Sequence, residues 1–340
     1  MIQGPKPKTD EWEALRFYDP AREDRPIIFG ASDAPAACNV SPYSSAFQLC
    51  LEKTRQINLP FDPDQVERME AGLVIEDAIV ELYRRRRNCE VRRDLPMFFH
   101  SSLNYMSATP DGEAYTADEE TVTWGVESKN TQFRMFDASG EDENKFGEEG
   151  TDAVPLQYLF QAQQQMEVMG WSSVDIPALF DGWKLRVYTV DRSDELIASI
   201  TDAEKELAER VCNGELPEPH WRHARTEKVL KSVYGVVPKK KVVRGDDLRG
   251  WWLKREEIKL KIDELTADLS EATSRIIAGF EDAEIMTFEG STIRIKRTVI
   301  ADSLFTQQDV DNAKLKADEI AGKIGTVKRK GHSRLRRLTS

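Results

Sequence analysis

The stretch NYMSATPDGEAYTADEETVTWGVESK, residues 104–129, decides how the rest of the chain is read. Residues 104–108 form a short β-like run, Pro110-Asp111-Gly112 is a turn, and 121–129 is a second strand beyond a polar loop. Side chains alternate along a strand, so Glu127 and Lys129 share one face while Ser128 points away. Asp111 emerges at a strand end. Taken alone, Pro-Asp-Gly is a common turn signal and Glu127 with Lys129 an ordinary surface ion pair, and both plain readings stand at this point.

Working outward, Val66 to about Arg87 predicts a helix, because Met69, Leu73, Ile79 or Val80, and Tyr83 recur at three- and four-residue steps, and Asn88 marks its end. A β-like run follows at 95–99, then the quoted strands, then residues 137–150, DASGEDENKFGEEG, as an exposed acidic loop. Residues 155–169 begin with Pro and lack breakers, which predicts a helix. Runs at 174–180 and 183–190 predict a hairpin across Asp181-Gly182, and a helix spans about Asp194 to Cys212. The order is that of an α/β protein, a mixed central sheet covered by helices. A compositional break near 217–245 separates a main domain, 1–222, from a helical C-terminal region, 223–340. In that region Ile258, Ile262, Leu265, Leu269, Ala272 and Ile276 step by four and three along a long helix, a seam for the main domain or a neighbouring subunit. Trp251-Trp252 reads as packing, a hairpin over roughly 284–298 turns at Glu289-Gly290, and the chain closes on a basic tail.

The chain has 340 residues, with 48 Lys+Arg against 60 Asp+Glu for a net charge of −12, and 40% hydrophobic residues. This excludes long disorder, collagen and disulfide scaffolds. No apolar run reaches membrane-spanning length and the first residues lack the apolar core of a secretory signal, so the expected location is the cytoplasm. Cys38, Cys50, Cys89 and Cys212 lie far apart and read as isolated reduced thiols. The acidic balance excludes a generic nucleic-acid coat, though not nucleic acid met by a local basic surface. Basic residues do cluster at Arg84 to Arg87, Arg92-Arg93, Lys239 to Lys241 and in the tail from Lys323. For Arg84 to Arg87 the plain alternative is a helix C-terminus, whose dipole favours cations.

Glu76 falls on the helix face shared by Met69, Leu73 and Tyr83, where an ionised carboxylate needs a cation or donor; a small rotation of that face would instead send it to solvent. Glu76, Asp111 and Glu127 are hard oxygen ligands of the kind that suit Mg²⁺ or Mn²⁺, and Lys129 is a cation beside them. Phosphodiester hydrolysis needs that set: an ion to polarise the phosphate and lower the pKa of water, and an ammonium to orient the water and offset charge.

Pro110-Asp111 followed by Glu127-x-Lys129 resembles the PD-(D/E)xK nuclease signature. With Gly30-Ala-Ser-Asp33, Ser41-Pro-Tyr43, Gly72-x-x-x-Glu76, Ala108-Thr-Pro-Asp-Gly112 and Tyr158-x-x-Gln161-x-Gln163 in that order, the chain resembles the YqaJ-like viral recombinases, relatives of phage lambda exonuclease, over about residues 25 to 220. The resemblance implies a restriction-endonuclease-like core of four to five mixed strands and Mg²⁺-dependent 5′→3′ digestion of one strand of duplex DNA. It implies double-stranded DNA ends as substrate, a ring-shaped homo-oligomer (trimer or tetramer) and a single-strand annealing protein as partner. By motif, Asp111, Glu127 and the Ser128 carbonyl would hold the ion, with Glu76 binding or positioning it. Lys129 would act on the water, and Gln161, on one helical stripe with Tyr158 and Gln165, would hold the water or the scissile phosphate. A pocket for the 5′-phosphate would use Arg25 and Ser32, with Thr109 where a serine is common and Tyr158 toward the DNA. The alternatives are a related nuclease of different polarity, an endonuclease, or a non-catalytic DNA-binding scaffold on the same fold.

Overall fold

The structure is a computed structural model that describes residues 1–116, 118–139, 141–235, 238, 240–242, 244–287, 294–300, 303–304, 327–329 and 332–338. It divides into two compact units, Met1–Val237 and Pro238–Ser340. In the first unit β1 (Ile2–Gln3) and α1 (Asp10–Leu15) precede a 3-10 turn (Ala31–Asp33), α2 (Ala34–Ala37), α3 (Ala46–Lys53) and α4 (Pro63–Arg87). There follow β2 (Glu90–Arg92), β3 (Phe98–Phe99), β4 (Ser107–Ala108), β5 (Gly112–Thr116), β6 (Glu119–Val126) and β7 (Lys129–Thr131). The unit is completed by α5 (Leu156–Met169), β8 (Ser173–Phe180), β9 (Lys184–Asp191), α6 (Asp194–Cys212) and α7 (Thr226–Val233).

The central sheet is mixed and six-stranded, ordered β2-β5-β6-β8-β7 with β9 also on β8. It exceeds the four to five strands implied by the resemblance. The short runs at 95–99 and 104–108 reduce to β3 and β4, and β3 pairs with both β1 and β4 in a separate three-stranded sheet. Strand alternation sorts the faces of the central sheet. Val174, Ile176, Ala178 and Phe180 of β8 pack with Ala162 and Met166 of α5, while Leu179, Val126 and Ala114 pack with Ile79 and Tyr83 of α4. Helix α6 matches its predicted span, and the β8–β9 hairpin turns through Asp181, Gly182 and Trp183, with Asp181 (φ 47°) and Gly182 (φ 78°) left-handed and the Trp183 N–H donating to the Phe180 carbonyl at 3.1 Å.

The expected single strand 121–129 is two strands. Val126 pairs with Asp175 and Lys129 with Ala178, both parallel and at the same offset, so no residue is inserted. The Glu127 N–H still donates to the Asp175 carbonyl at 3.0 Å. The next rung would run from the N–H of residue 177 to the Glu127 carbonyl, and Pro177 has none. The ladder therefore lapses at Glu127-Ser128.

Helix α4 begins one turn earlier than expected, with Asp62 and Gln65 forming a capping box around Pro63, and ends at left-handed Asn88. Its predicted apolar face holds only in the second half. Met69 and Leu73 are 53% and 51% exposed, because the sheet is met by Ile79 and Tyr83, with Ile75 half-buried beside them. The four arginines at its end have protein partners: Glu81 and Glu90 for Arg84, Glu81 for Arg85, Glu149 for Arg86, Asp175 for Arg87. The acidic loop is not wholly exposed either, since Phe146 is fully buried against Tyr158, Phe180 and Tyr188.

The second unit contains α8 (Asp246–Phe280), then β10 (Ile285–Thr287), β11 (Arg294–Ile300), β12 (Ser303–Leu304), β13 (Val327–Arg329) and β14 (His332–Leu338), with β11 central between β10 and β14. Trp251 and Trp252 are exposed rather than packed. The predicted turn at Glu289-Gly290 lies outside the described residues, as do Lys239, Lys323 and Lys330 of the basic clusters. No helix among the described residues is long and apolar enough to cross a membrane.

Glu204 of α6 is fully buried, and neither of its carboxyl oxygens nor Gln164 Oε1 has a hydrogen-bond partner among the described residues. Gln164 lies within hydrogen-bonding reach of Glu204, and its Nε2 donates to the carbonyls of Phe29 (3.2 Å) and Ser107 (3.1 Å). Burial, then Asp33, raises the Glu204 pKa against the opposing pull of Lys53 and Gln164. One proton on Glu204 turns one of its oxygens into a donor for the orphan Gln164 Oε1. A carboxyl raised in this way favours the folded state while protonated, so its contribution is lost as pH climbs from the ordinary value of 4.5 toward the folded one. Glu204→Gln should match wild-type thermal stability near pH 5 and exceed it as the pH rises, by up to about 1.4 kcal/mol per pH unit until the folded-state pKa is passed. Parallel profiles of melting temperature against pH would contradict a neutral Glu204.

Candidate active site

The lapse in the ladder releases Glu127, Ser128 and Lys129 at the edge of the sheet, directly under α5. Glu127 is buried, and its carboxylate is answered by three donors. Lys129 Nζ (2.5 Å) and Gln161 Nε2 (2.6 Å) reach Oε1, and Gln165 Nε2 (2.6 Å) reaches Oε2. Gln161 and Gln165 are one helical turn apart on α5, so the predicted stripe exists, but it points at Glu127 rather than at open space. Tyr158, on the same stripe, lies beneath Lys129, whose ammonium is 4.7 Å from the ring centroid. Burial alone would lower the Lys129 pKa; Glu127 and Asp111 more than reverse it and keep the ammonium charged.

Asp111 stands at the start of β5, whose Gly112 pairs with Val126. Its Oδ2 accepts from the Ser128 N–H and the Ser128 hydroxyl, each at 2.9 Å. No hydrogen bond reaches Oδ1 among the described residues. Burial, then the negative charges of Glu127 and Glu76, push the Asp111 carboxyl up to about 7 in spite of Lys129. Two carboxylates thus crowd one site with more negative charge than a single ammonium cancels.

Glu76 departs from expectation. It is partly exposed and bound by Arg93 at 2.5 Å, and Asp77 shares the same guanidinium. The cation that a carboxylate on that face requires is thus a protein side chain. Among the described residues no group of three or more His, Cys, Asp or Glu side chains is placed to hold a metal ion, so the expected three-carboxylate cluster is not formed. What the structure brings together is Asp111, Ser128, Glu127, Lys129, Gln161 and, unforeseen as a site residue, Gln165.

Asp111, Gln161 and Glu76 open into a cleft of about 520 Å³ whose walls also carry Gly30, Ser32, Asp33, Thr109 and Pro110. Five cations line it: Lys6, Lys8, Arg16, Lys53 and Arg93. Lys53 is buried against Asp33 (2.6 Å) and the Ile28 carbonyl (2.8 Å). Ser32 and Thr109 are at the cleft as predicted, but Arg25 is not among its lining residues. The Arg25 guanidinium lies 4.1 Å over the Phe99 ring and 3.6 Å from Asp24. Arg16 occupies the cleft instead, stacked 4.9 Å over Trp12, whose Nε1 donates to Thr109 Oγ1 at 3.4 Å. Trp12 and Leu15 pack beside Ile28, Met97 and Phe99, which lays α1 along the cleft wall. The apolar pair Trp12 and Leu15, followed at once by Arg16, was the available signal. For Lys53 and Arg93 the sequence offers none.

The family model of the YqaJ-like viral recombinase domain matches residues 17–172. No curated protein matches the chain. Among solved structures, an alkaline exonuclease from Laribacter hongkongensis is similar at 19% identity, covering 66% of this chain and 97% of that one, with a TM-score of 0.41. The same exonuclease in complex with dAMP is similar at 16% identity, covering 58% of this chain and 92% of that one, also with a TM-score of 0.41. The matched region spans Asp111, Glu127, Lys129, Gln161 and Gln165, so the likeness to the YqaJ-like viral recombinase domain covers the residues that the structure brings together.

Proposed function

We propose that this chain is a divalent-metal-dependent deoxyribonuclease that digests one strand of linear duplex DNA from its 5′ end and leaves a 3′ overhang. The observation that carries this reading is the close group of half-buried Asp111, buried Glu127 and Lys129, with Asp111 opening into a cleft lined by five cations and five carboxylates. The donor set fits a hard divalent ion. Asp111 has an oxygen without a hydrogen bond, and burial, then the negative charges of Glu127 and Glu76, raise its pKa, a penalty that a bound cation would offset. Asp111, Glu127 and the Ser128 carbonyl would hold Mg²⁺, or Mn²⁺ in its place, while Glu76 acts through Arg93. The bound ion supplies Lewis-acid polarisation of the phosphate and a more acidic water.

The chain's own residues do the rest. Lys129, steadied by Tyr158, presents N–H donors that orient the attacking water and offset charge on the phosphate. Gln161 and Gln165 hold the Glu127 carboxylate in one orientation beside Lys129. Arg16, Ser32 and Thr109 form the pocket for the terminal 5′-phosphate, with Arg16 replacing Arg25 because it is Arg16 that lines the cleft. In the same reading the DNA end enters a ring-shaped homo-oligomer, a trimer or tetramer, in the cytoplasm, and the overhang passes to a single-strand annealing protein.

Asp111→Ala and Lys129→Ala should each lower Mg²⁺-dependent digestion of end-labelled linear duplex by about 10²-fold or more. Asp111→Asn separates chemistry from folding. Without divalent ion at pH 8, above the Asp111 pKa of about 7, it should melt no lower than wild type, because it removes a buried charge and keeps an acceptor for Ser128. Undiminished digestion by both alanine variants would remove the assignment.

Digestion should also be faster from a 5′-phosphorylated end, and Arg16→Ala should cut that preference about tenfold, the loss of a charge-assisted contact worth roughly 1.4 kcal/mol. Arg25→Ala should leave it intact. Equal wild-type rates on phosphorylated and hydroxyl ends would contradict the pocket.

A further inference from the structure

Helix α8 runs for 35 residues, and Phe280 at its end is its one buried side chain. At 1.5 Å per residue it is on the order of 50 Å long. Leu248, Trp251, Ile258, Ile262, Leu265 and Leu269 are 46–68% exposed. From Leu248 through Arg255 and Ala272 to Ile276 these positions alternate steps of three and four without a break, four heptads of one seam. A seam of period 3.5 stays on one side only if the helix supercoils with another helix, and a single such helix in water leaves it open.

From this we infer that α8 pairs two copies of this chain as an antiparallel coiled coil. Heptad seams are self-complementary, as a two-fold interface requires. Charge decides the orientation. If the two helices cross with Ile258 of each against Ile262 of the other, the flanking positions set Lys254 opposite Asp268 and Asp247 opposite Arg275, twice over by symmetry. The same crossing places Trp251 against Leu269, Leu248 against Ala272, and the stem of Arg255 against Leu265. Lys259 and Lys261 then meet their own counterparts near the axis, and each has a glutamate on its own helix, Glu256 at 3.5 Å and Glu257 at 2.6 Å. A parallel, in-register pair would instead set Lys254 against Lys259. The off-seam residues Leu253 and Leu260, 59% and 71% exposed, point away from this contact. The pairing is independent of whether the chain cuts DNA, since it uses no residue of the cleft.

The test is the solution mass of the full chain by light scattering. The Ile262→Glu/Leu265→Glu variant should have half the wild-type mass with unchanged far-UV circular dichroism of the main fold, and Leu253→Glu/Leu260→Glu should keep the wild-type mass. A wild type with an odd number of subunits, monomer or trimer, or halving by the off-seam variant, would overturn the seam. For orientation, Trp251→Cys and Leu269→Cys proteins, each also carrying Cys212→Ser, should form a disulfide-linked dimer on mild oxidation when mixed. Linking by Leu269→Cys alone would overturn the antiparallel arrangement.

Discussion

The buried Glu127 carboxylate is the constraint around which the first unit is organised. A charge out of water must be met by donors from every side that closes over it. Here the donors come from one strand and one helix: Lys129 two residues on, and Gln161 and Gln165 across the gap on α5. That demand fixes the rotation of α5 on the sheet as firmly as its apolar contacts do. It also explains why a run of glutamines, unremarkable on a helix surface, lies buried. Gln164 ties the Phe29 and Ser107 carbonyls from the same helix and so couples α5 to the segments that end in Ser32 and Asp111.

A second local cause sets where that carboxylate sits. Pro177 of β8 cannot supply the rung that would hold the Glu127 carbonyl, so the strand leaves the sheet for two residues and returns as β7. Glu127-Ser128 is freed from the ladder without any residue being inserted. Ser128 then donates twice to Asp111, which locks the start of β5 to the gap. Behind the gap Asp175 gathers Tyr83, Thr189 and Arg87, holding α4 and β9 in place from the opposite face.

Much of this was legible in the sequence. The alternation that placed Glu127 and Lys129 on one face survives the broken strand because the register offset does not change. The Asp181-Gly182 turn and the span of α6 follow from local chemistry, which is why they needed no tertiary knowledge. What failed depended on neighbours distant in sequence. Met69 and Leu73 have helical spacing but no sheet beneath them. Glu76 found Arg93, seventeen residues away, and so did not join the other two acids. Arg25 looked placed for a phosphate because it precedes the Gly30–Asp33 motif, yet Phe99 takes its guanidinium while α1 delivers Arg16. The rung missing at Pro177 could have been suspected from a proline in a central strand.

The central claim is that Asp111 and Glu127, with the Ser128 carbonyl, form a seat for a divalent ion rather than a self-contained ion pair with Lys129. Titration of Mn²⁺ into the full chain, followed by the paramagnetic signal of the free ion, tests it most directly. The account predicts saturable binding that Glu127→Gln removes while the folded state persists. Binding that is absent in the wild type, or unchanged by Glu127→Gln, would contradict it.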